Sequence, residues 1–379
     1  MTRFSTIEDD GAPIRIILVG AGAMGRHWLD ALRASPDVAL VGLVDLDIEL
    51  SRRVVTAANL TGVAVGRTVT EVARETGAQA VVNVTIPAAH FAVNVESLFG
   101  GLPVLCEKPI APTVSQALAL VAAAEASGQL LMTSQSRRYY KALADFRGAV
   151  GTLGRIGLVT TEFFRGPHFG GFRDEMDQPL LVDMAIHAFD AARYLLGSDP
   201  RSVQCETFNP EWSWYRGDAA AIATFDFDDG TRYLFNGSWC SPGLETSWNG
   251  SWRVSGSDGS ATWDGEGAPE IERTGGSSPL PPESAERVGP EEIAGALAEF
   301  VRSLRSGETP SGDVRSNIFS LAMVEAAVLS ASSGARVVID EVLEDAYAHA
   351  LGIETRPEIL EVLQRWGSAT GGLAAKRLS

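Results

Sequence analysis

The chain has 379 residues, 45% hydrophobic and 21% charged, an ordinary globular composition long enough for two or three domains. A formal net charge of −17, without any local Lys/Arg cluster, argues against partners built on phosphate backbones or anionic membranes. The polar, acidic start lacks the pattern of a secretory signal, and runs such as 14–19 are too short to span a bilayer. Cys106, Cys205 and Cys240 are too widely spaced to suggest a disulfide framework or a cysteine-based zinc site. A cytoplasmic protein is expected, with no nucleic-acid or membrane partner.

Short apolar runs at 14–19, 39–44, 80–85, 103–106 and 130–134 read as strands buried on both faces. Helical patterns at 24–34, 48–58, 69–76, 90–99 and 115–127 alternate with them, which predicts a doubly wound parallel sheet covered by helices. After about residue 139 the pattern changes. A helix at 140–150 leads through a glycine-punctuated turn to a strand at 155–165 and a helix at 181–196. Strands follow at 202–208, 219–227, 231–240, 251–255 and 260–264, with Asp228-Asp229-Gly230 and Ser257-Asp258-Gly259 as hairpin signals. The Gly-, Pro- and Ser-rich stretch 265–290 reads as an exposed loop. Helices return at 290–304 and 314–332, followed by a segment at 336–340, and a short amphipathic helix around Trp366 precedes a loose tail. The fold class is α/β: a dinucleotide-binding domain over 1–137, an α+β domain with a mostly antiparallel open sheet over 138–345, and a tail over 346–379. The late helices are able to return to the first domain.

Gly20-Ala-Gly22-Ala23-Met24-Gly25 follows the first strand directly and opens the first helix. In such a G-x-G-x-x-G turn the first glycine permits the tight bend and the second lets backbone approach a pyrophosphate. The third allows close helix–strand packing, and the helix N-terminus supplies N–H groups and a positive dipole end. Asp45 ends the next strand, about 20 residues on, where a carboxylate accepts from an adenosine ribose diol. The same carboxylate repels the 2′-phosphate of NADP, so NAD is favoured; Arg52 and Arg53 leave NADP possible.

Lys108, in Glu107-Lys108-Pro109, stands at the carboxyl end of a parallel strand, the edge at which such sheets bind ligands. An ammonium there is able to hold a substrate hydroxyl and stabilise its alkoxide; a plain surface Glu–Lys pair is the alternative. Asp183 and His187, four apart, share a helical face that Asp190 and Tyr194 continue. A carboxylate beside an imidazole prepares a general base, though such pairs also serve as simple surface pairs. Asp183, His187 and His168 are too few for a metal centre, and none is expected. Arg137, Arg138 and Tyr139 either contact a hydroxylated substrate or join domains. Arg165, His168 and Arg173 flank a Gly-rich loop able to close over substrate. Trp212, Trp214, Trp239, Trp248 and Trp252 suit a sugar face, a core or a subunit interface.

Taken together, the Gly20–Gly25 turn, Glu107-Lys108-Pro109 and Asp183-x-x-x-His187, in this order and at these separations, resemble the glucose-fructose oxidoreductase, inositol dehydrogenase and MocA-like (Gfo/Idh/MocA) family. Thr85-Ile86-Pro87 with His90 resembles that family's Thr-Pro segment near the nicotinamide, with Ile86 inserted between residues that are often adjacent. The Gly154-x-Ile156-Gly157 turn also fits, and the likeness runs from about Ile14 to Asp340.

The resemblance implies a Rossmann domain and NAD(P)-linked chemistry on a sugar or polyol. It also implies a homodimer or homotetramer assembled through the open sheet. Gly20, Gly22, Ala23, Met24, Gly25, Asp45, Thr85, Pro87, His90, Glu107 and Lys108 would then hold the dinucleotide. Lys108 would polarise the reacting hydroxyl, His187 act as acid and base, and Asp183 orient His187, with Arg137, Arg165 and His168 beside the substrate. Two other functions share these features: a redox-neutral glycoside-cleaving enzyme with held NAD, and a non-catalytic NAD-binding regulator.

Overall fold

A computed structural model describes residues 4–275 and 289–374. Much of the expected loop, 276–288, and the end of the tail, 375–379, lie outside them. In chain order the elements begin β1 (Ile14–Val19), α1 (Ala23–Ala34), β2 (Val38–Val44), α2 (Ile48–Ala57), β3 (Ala64–Gly66) and α3 (Val69–Thr76). They continue with β4 (Ala80–Asn83), α4 (Pro87–Phe99), β5 (Val104–Glu107), α5 (Val114–Ser127), β6 (Leu131–Ser134) and α6 (Lys141–Val150). Then come β7 (Ile156–Phe164), α7 (Ile186–Leu196), β8 (Pro200–Phe208), β9 (Ala220–Phe227), β10 (Arg232–Ser238), β11 (Ser251–Gly256), β12 (Gly259–Trp263) and β13 (Glu270–Arg273). The last are α8 (Glu292–Ser306), α9 (Val314–Ser333), β14 (Val337–Val338), α10 (Ile339–Ile353), α11 (Pro357–Trp366) and α12 (Ala369–Ala374). They form two compact units, 4–136 with 289–318 and 344–374, and 137–275 with 319–343.

The first unit is built on a parallel six-stranded sheet in the order β3-β2-β1-β4-β5-β6. Ile16, Ile17, Leu18 and Val19 of β1, like all of β4 and β5, are buried on both faces, which is why these runs are apolar without alternation. The order reverses between β1 and β4, and a crevice for a ligand opens beyond the carboxyl ends of strands at such a point. The edge strand β3, three residues long, was not expected. The tail is ordered further than expected. The Glu344 carboxylate accepts from the backbone N–H groups of Ala369 (2.9 Å) and Thr370 (3.0 Å), satisfying orphan donors at the start of α12.

The second unit holds a mixed eight-stranded sheet, β13-β12-β11-β7-β10-β9-β8-β14, in which only β7 and β10 pair in parallel. Its inner face carries Val159, Phe225, Tyr233 and Phe235, and Phe189 of α7 packs edge-on against both phenylalanines. Leu158, Ile222 and Leu234 stand exposed on the other face. One expectation needs correcting here. Residues 270–273 form β13 rather than loop, because Asp264 Oδ1 accepts from the N–H groups of Glu266 and Gly267 and turns the chain back onto β12. The short β14 passes directly into α10.

Among the described residues one helix, α9, is long and apolar enough to cross a membrane; 67% of that stretch is buried within the fold, as in a core helix. Polar residues are buried too. Arg138, 6% exposed, makes a two-pronged ion pair with Asp190, each N···O distance 2.7 Å. Ser320 donates to Asp190 at 2.6 Å and accepts from Arg193 at 2.9 Å, and Arg193 pairs in turn with Asp199. Arg138 is thus tied within the second unit. Asp190→Ala removes the carboxylate partner of the buried Arg138 guanidinium, while Arg193 keeps Asp199, and should cost about 3–5 kcal/mol of stability, measurable by denaturant unfolding. A loss below about 1 kcal/mol, the value of an exposed pair, would contradict this.

Candidate functional site

At the end of β1 the chain bends at Gly20, whose φ of +108° suits glycine. A Cβ there would lie 2.8 Å from the Val84 carbonyl oxygen, and one on Gly25 only 2.0 Å from that of Gly20. A Cβ on Gly22 would meet nothing within 4 Å, so this glycine faces open space. Gly22 caps α1 without a side-chain hydrogen bond, and Ala23 and Met24 are exposed. Two glycines thus permit close packing while the third keeps the mouth open before a helix N-terminus. These residues fit a dinucleotide pyrophosphate.

Asp45 lies at the carboxyl end of β2. Its Oδ2 accepts from the Ala21 N–H at 2.8 Å and its Oδ1 from the Asp47 N–H at 2.9 Å. A carboxylate has about four acceptor sites, so each oxygen retains capacity for a ribose hydroxyl. Arg52 and Arg53, the candidates for a 2′-phosphate, pair with Glu49 at 2.6 Å and Asp47 at 3.7 Å. Asp45→Asn keeps an acceptor for Ala21 and removes the charge. It is expected to weaken NAD about tenfold and to bring NADP within about tenfold of NAD, read by calorimetry. Unaltered selectivity would exclude Asp45 from cofactor choice.

At the end of β4 the buried Asn83 accepts from the Thr85 backbone N–H (3.2 Å) and hydroxyl (2.8 Å). Ile86, 66% exposed, caps α4, and Pro87 occupies its first turn. His90 is buried with its ring between the carbonyls of Pro109 (2.7 Å) and Thr85 (3.0 Å). Burial lowers its pKa from the ordinary imidazole value, the two carbonyls oppose the shift, and nearby Lys108 reinforces it. Glu107, also buried, accepts from Trp28 Nε1 at 2.8 Å and from the Lys108 N–H at 3.1 Å. Burial raises its pKa, with the Trp28 bond and Lys108 pulling the other way. Lys108 is half-buried and precedes a cis peptide bond to Pro109. His90 and Glu107, both expected near the dinucleotide, are thus buried and hydrogen-bonded within the fold.

In the second unit Asp183 sits on a π-helical turn, Leu180–Ala185, that runs into α7. A regular α-helix was expected there; π-turns of this kind occur frequently at functional sites. Arg173 donates from Nε to Asp183 at 2.5 Å, with its guanidinium over the rings of Phe169 and Phe172. His187 is half-buried in the first turn of α7. Asp190 does not continue an exposed stripe with them, being turned inward to Arg138.

Arg165 donates to the Thr246 carbonyl, pairs with Glu245 at 3.0 Å and lies 4.4 Å above the Trp248 ring. Arg137 donates to the Trp248 carbonyl, so Trp248 joins two of the expected substrate contacts. His168 is exposed and stacked on Trp214, ring centres 3.7 Å apart. Trp239 and Trp252 are core residues. Three partners escaped sequence reasoning: Trp28 for Glu107, Arg173 for Asp183, and the Pro109 carbonyl for His90. Among the described residues no three His, Cys, Asp or Glu side chains gather as a metal site.

Residues 14–135 match the family model described as oxidoreductase family, NAD-binding Rossmann fold, and 148–262 match the C-terminal domain model of the same family. The chain is 28% identical over 353 residues to D-apiose dehydrogenase of Paraburkholderia graminis, covering 87% of this chain and 91% of that protein. It is 31% identical over 194 residues to inositol 2-dehydrogenase 4 of Saccharopolyspora erythraea, 50% of this chain and 56% of that one. An oxidoreductase from Agrobacterium radiobacter, solved with NAD+, L-tartaric acid and magnesium, shares the fold with a TM-score of 0.78 at 20% identity, over 87% of this chain and 99% of its own.

Proposed function

The chain belongs to the Gfo/Idh/MocA family of NAD-binding oxidoreductases, and from that premise we propose that it transfers hydride between NAD and a secondary hydroxyl of a sugar or cyclic polyol. The observation that carries the proposal is Lys108, at the carboxyl end of β5 and two strands from the Gly20–Gly25 turn of β1 on one sheet edge. Of 31 basic side chains, only Lys108, Lys141 and Lys376 are lysines. Where arginine is the rule, a lysine at 108 fits a task that needs a compact ammonium point charge rather than a planar fork.

The nicotinamide, when bound, supplies the two-electron acceptor or donor. In the proposed division of labour Lys108 holds the reacting oxygen and steadies its developing negative charge. His187 takes the hydroxyl proton and returns it in the reverse direction. Asp183, itself held by Arg173, bears on the orientation of His187 and on a second hydroxyl. Arg137, Arg165 and His168 supply polar contacts for the rest of a hydroxylated ring. The sugar and polyol dehydrogenases among the relatives support this substrate class.

The test is NADH formation across a panel of inositols, aldoses, aldonates and glycosides, with NADP in parallel. Reduction with one sugar or polyol class and a preference for NAD is the expected result. Release of an aglycone without net NADH would replace the proposal with redox-neutral cleavage. Silence with NAD bound would leave a regulator.

A further inference from the structure

Past Asn83 and Cys106, the last residues at which β4 and β5 are paired, no strand ladder holds the two chain segments together. The loop at Thr85 and the turn at Lys108-Pro109 both leave the sheet there. The His90 ring spans them. A carbonyl oxygen only accepts, so a neutral imidazole holds one of the two and an imidazolium holds both. The shorter of the two contacts, 2.7 Å, joins Nδ1 to the Pro109 carbonyl. The backbone of His90 is anchored as well, since Asn83 Nδ2 donates to the His90 carbonyl at 3.4 Å and to Asn94 Oδ1 at 2.8 Å. An apolar residue would fill this space without the cost of burying a polar ring, and what the ring adds is a hydrogen bond reaching from α4 to the turn after β5.

We propose that His90 is a positioning residue that ties the Lys108-Pro109 turn to the Thr85 loop and so fixes where the Lys108 ammonium stands relative to the dinucleotide. It touches neither substrate nor cofactor. The inference rests on the reading of Lys108 given above, and its consequences are read without turnover.

The experiment uses the scarcity of lysine. A small amine-reactive ester acetylates Lys108 and Lys141 in the same molecule, mass spectrometry gives the ratio of the two rates, and calorimetry gives the affinity for NAD. Lys141, exposed and paired with Asp145 at 2.7 Å, is the internal reference. His90→Phe should raise the Lys108 to Lys141 ratio at least about threefold and weaken NAD about tenfold, as expected when a buried carbonyl loses its donor. His90→Asn places its amide Nδ2 where the ring Nδ1 stands, retains an N–H for the Pro109 carbonyl and should recover at least half of both effects. A folded His90→Phe with both readings within about twofold of the parent would overturn the proposal. Should that variant fail to fold, His90→Gln replaces it, since its longer amide matches the ring Nε2 that faces Thr85 and not the Nδ1 that faces Pro109. Gln worse than Asn in both readings supports the tie; equal values overturn it. A failed dehydrogenase reading would look different, with normal NAD binding and labelling but no reduced cofactor.

Discussion

Replacing His187 by alanine is expected to lower turnover by roughly 10²–10⁴-fold, the usual contribution of a positioned general base. The residue lies in the first turn of α7, whose other side chains anchor the helix. Ile186, Phe189, Ala192 and Leu195 are buried, so losing one half-buried ring should leave the fold intact. Dinucleotide affinity should change little, because the groups assigned to it lie on β1, β2 and the loops after β4 and β5. The loss should therefore fall on turnover rather than on NAD binding, and added imidazole should restore part of it. Turnover within about threefold of the parent would remove His187 from the chemistry, being far below what proton transfer contributes.

Lys108→Met should reduce kcat/KM by at least about 10²–10³-fold, the scale seen when one donor to a developing oxyanion is lost. Lys108→Arg should fail almost as badly. A guanidinium is larger, planar and unable to present the same point charge, although it preserves the net charge that a merely electrostatic role would need. Full activity in Lys108→Arg would show that a cation, and not this ammonium, is required. NAD affinity within about threefold of the parent in both variants would separate substrate activation from cofactor binding; a large loss of affinity would make Lys108 a cofactor ligand.

The first unit was legible because its signals are local. Apolar strands buried on both faces, helices with turn residues at their ends and a glycine-rich turn each occupy a few adjacent residues. The structure starts and ends β1 where the apolar run does. What escaped depends on packing. A strand of three residues has too little alternation to show, and β13 hides in a stretch whose glycines and prolines speak for loop. Spacing placed Asp183, His187 and Asp190 on one face, but Arg138, 52 residues from Asp190 in the chain, draws the third inward. Nothing in propensity separates a π-turn from an α-turn, since the same side chains serve both. The Trp28–Glu107 hydrogen bond joins residues 79 positions apart, and the Arg173–Asp183 pair depends on how a glycine-rich loop folds back.

The most direct test of hydride transfer is isotopic. The best substrate of the panel, carrying deuterium on the carbinol carbon, is incubated with the enzyme and NAD, and the reduced cofactor is examined by mass spectrometry. Deuterium on the nicotinamide ring, together with a slowed rate, is the predicted result. Reduced cofactor without deuterium, or product formed while deuterium passes to solvent, would contradict the account.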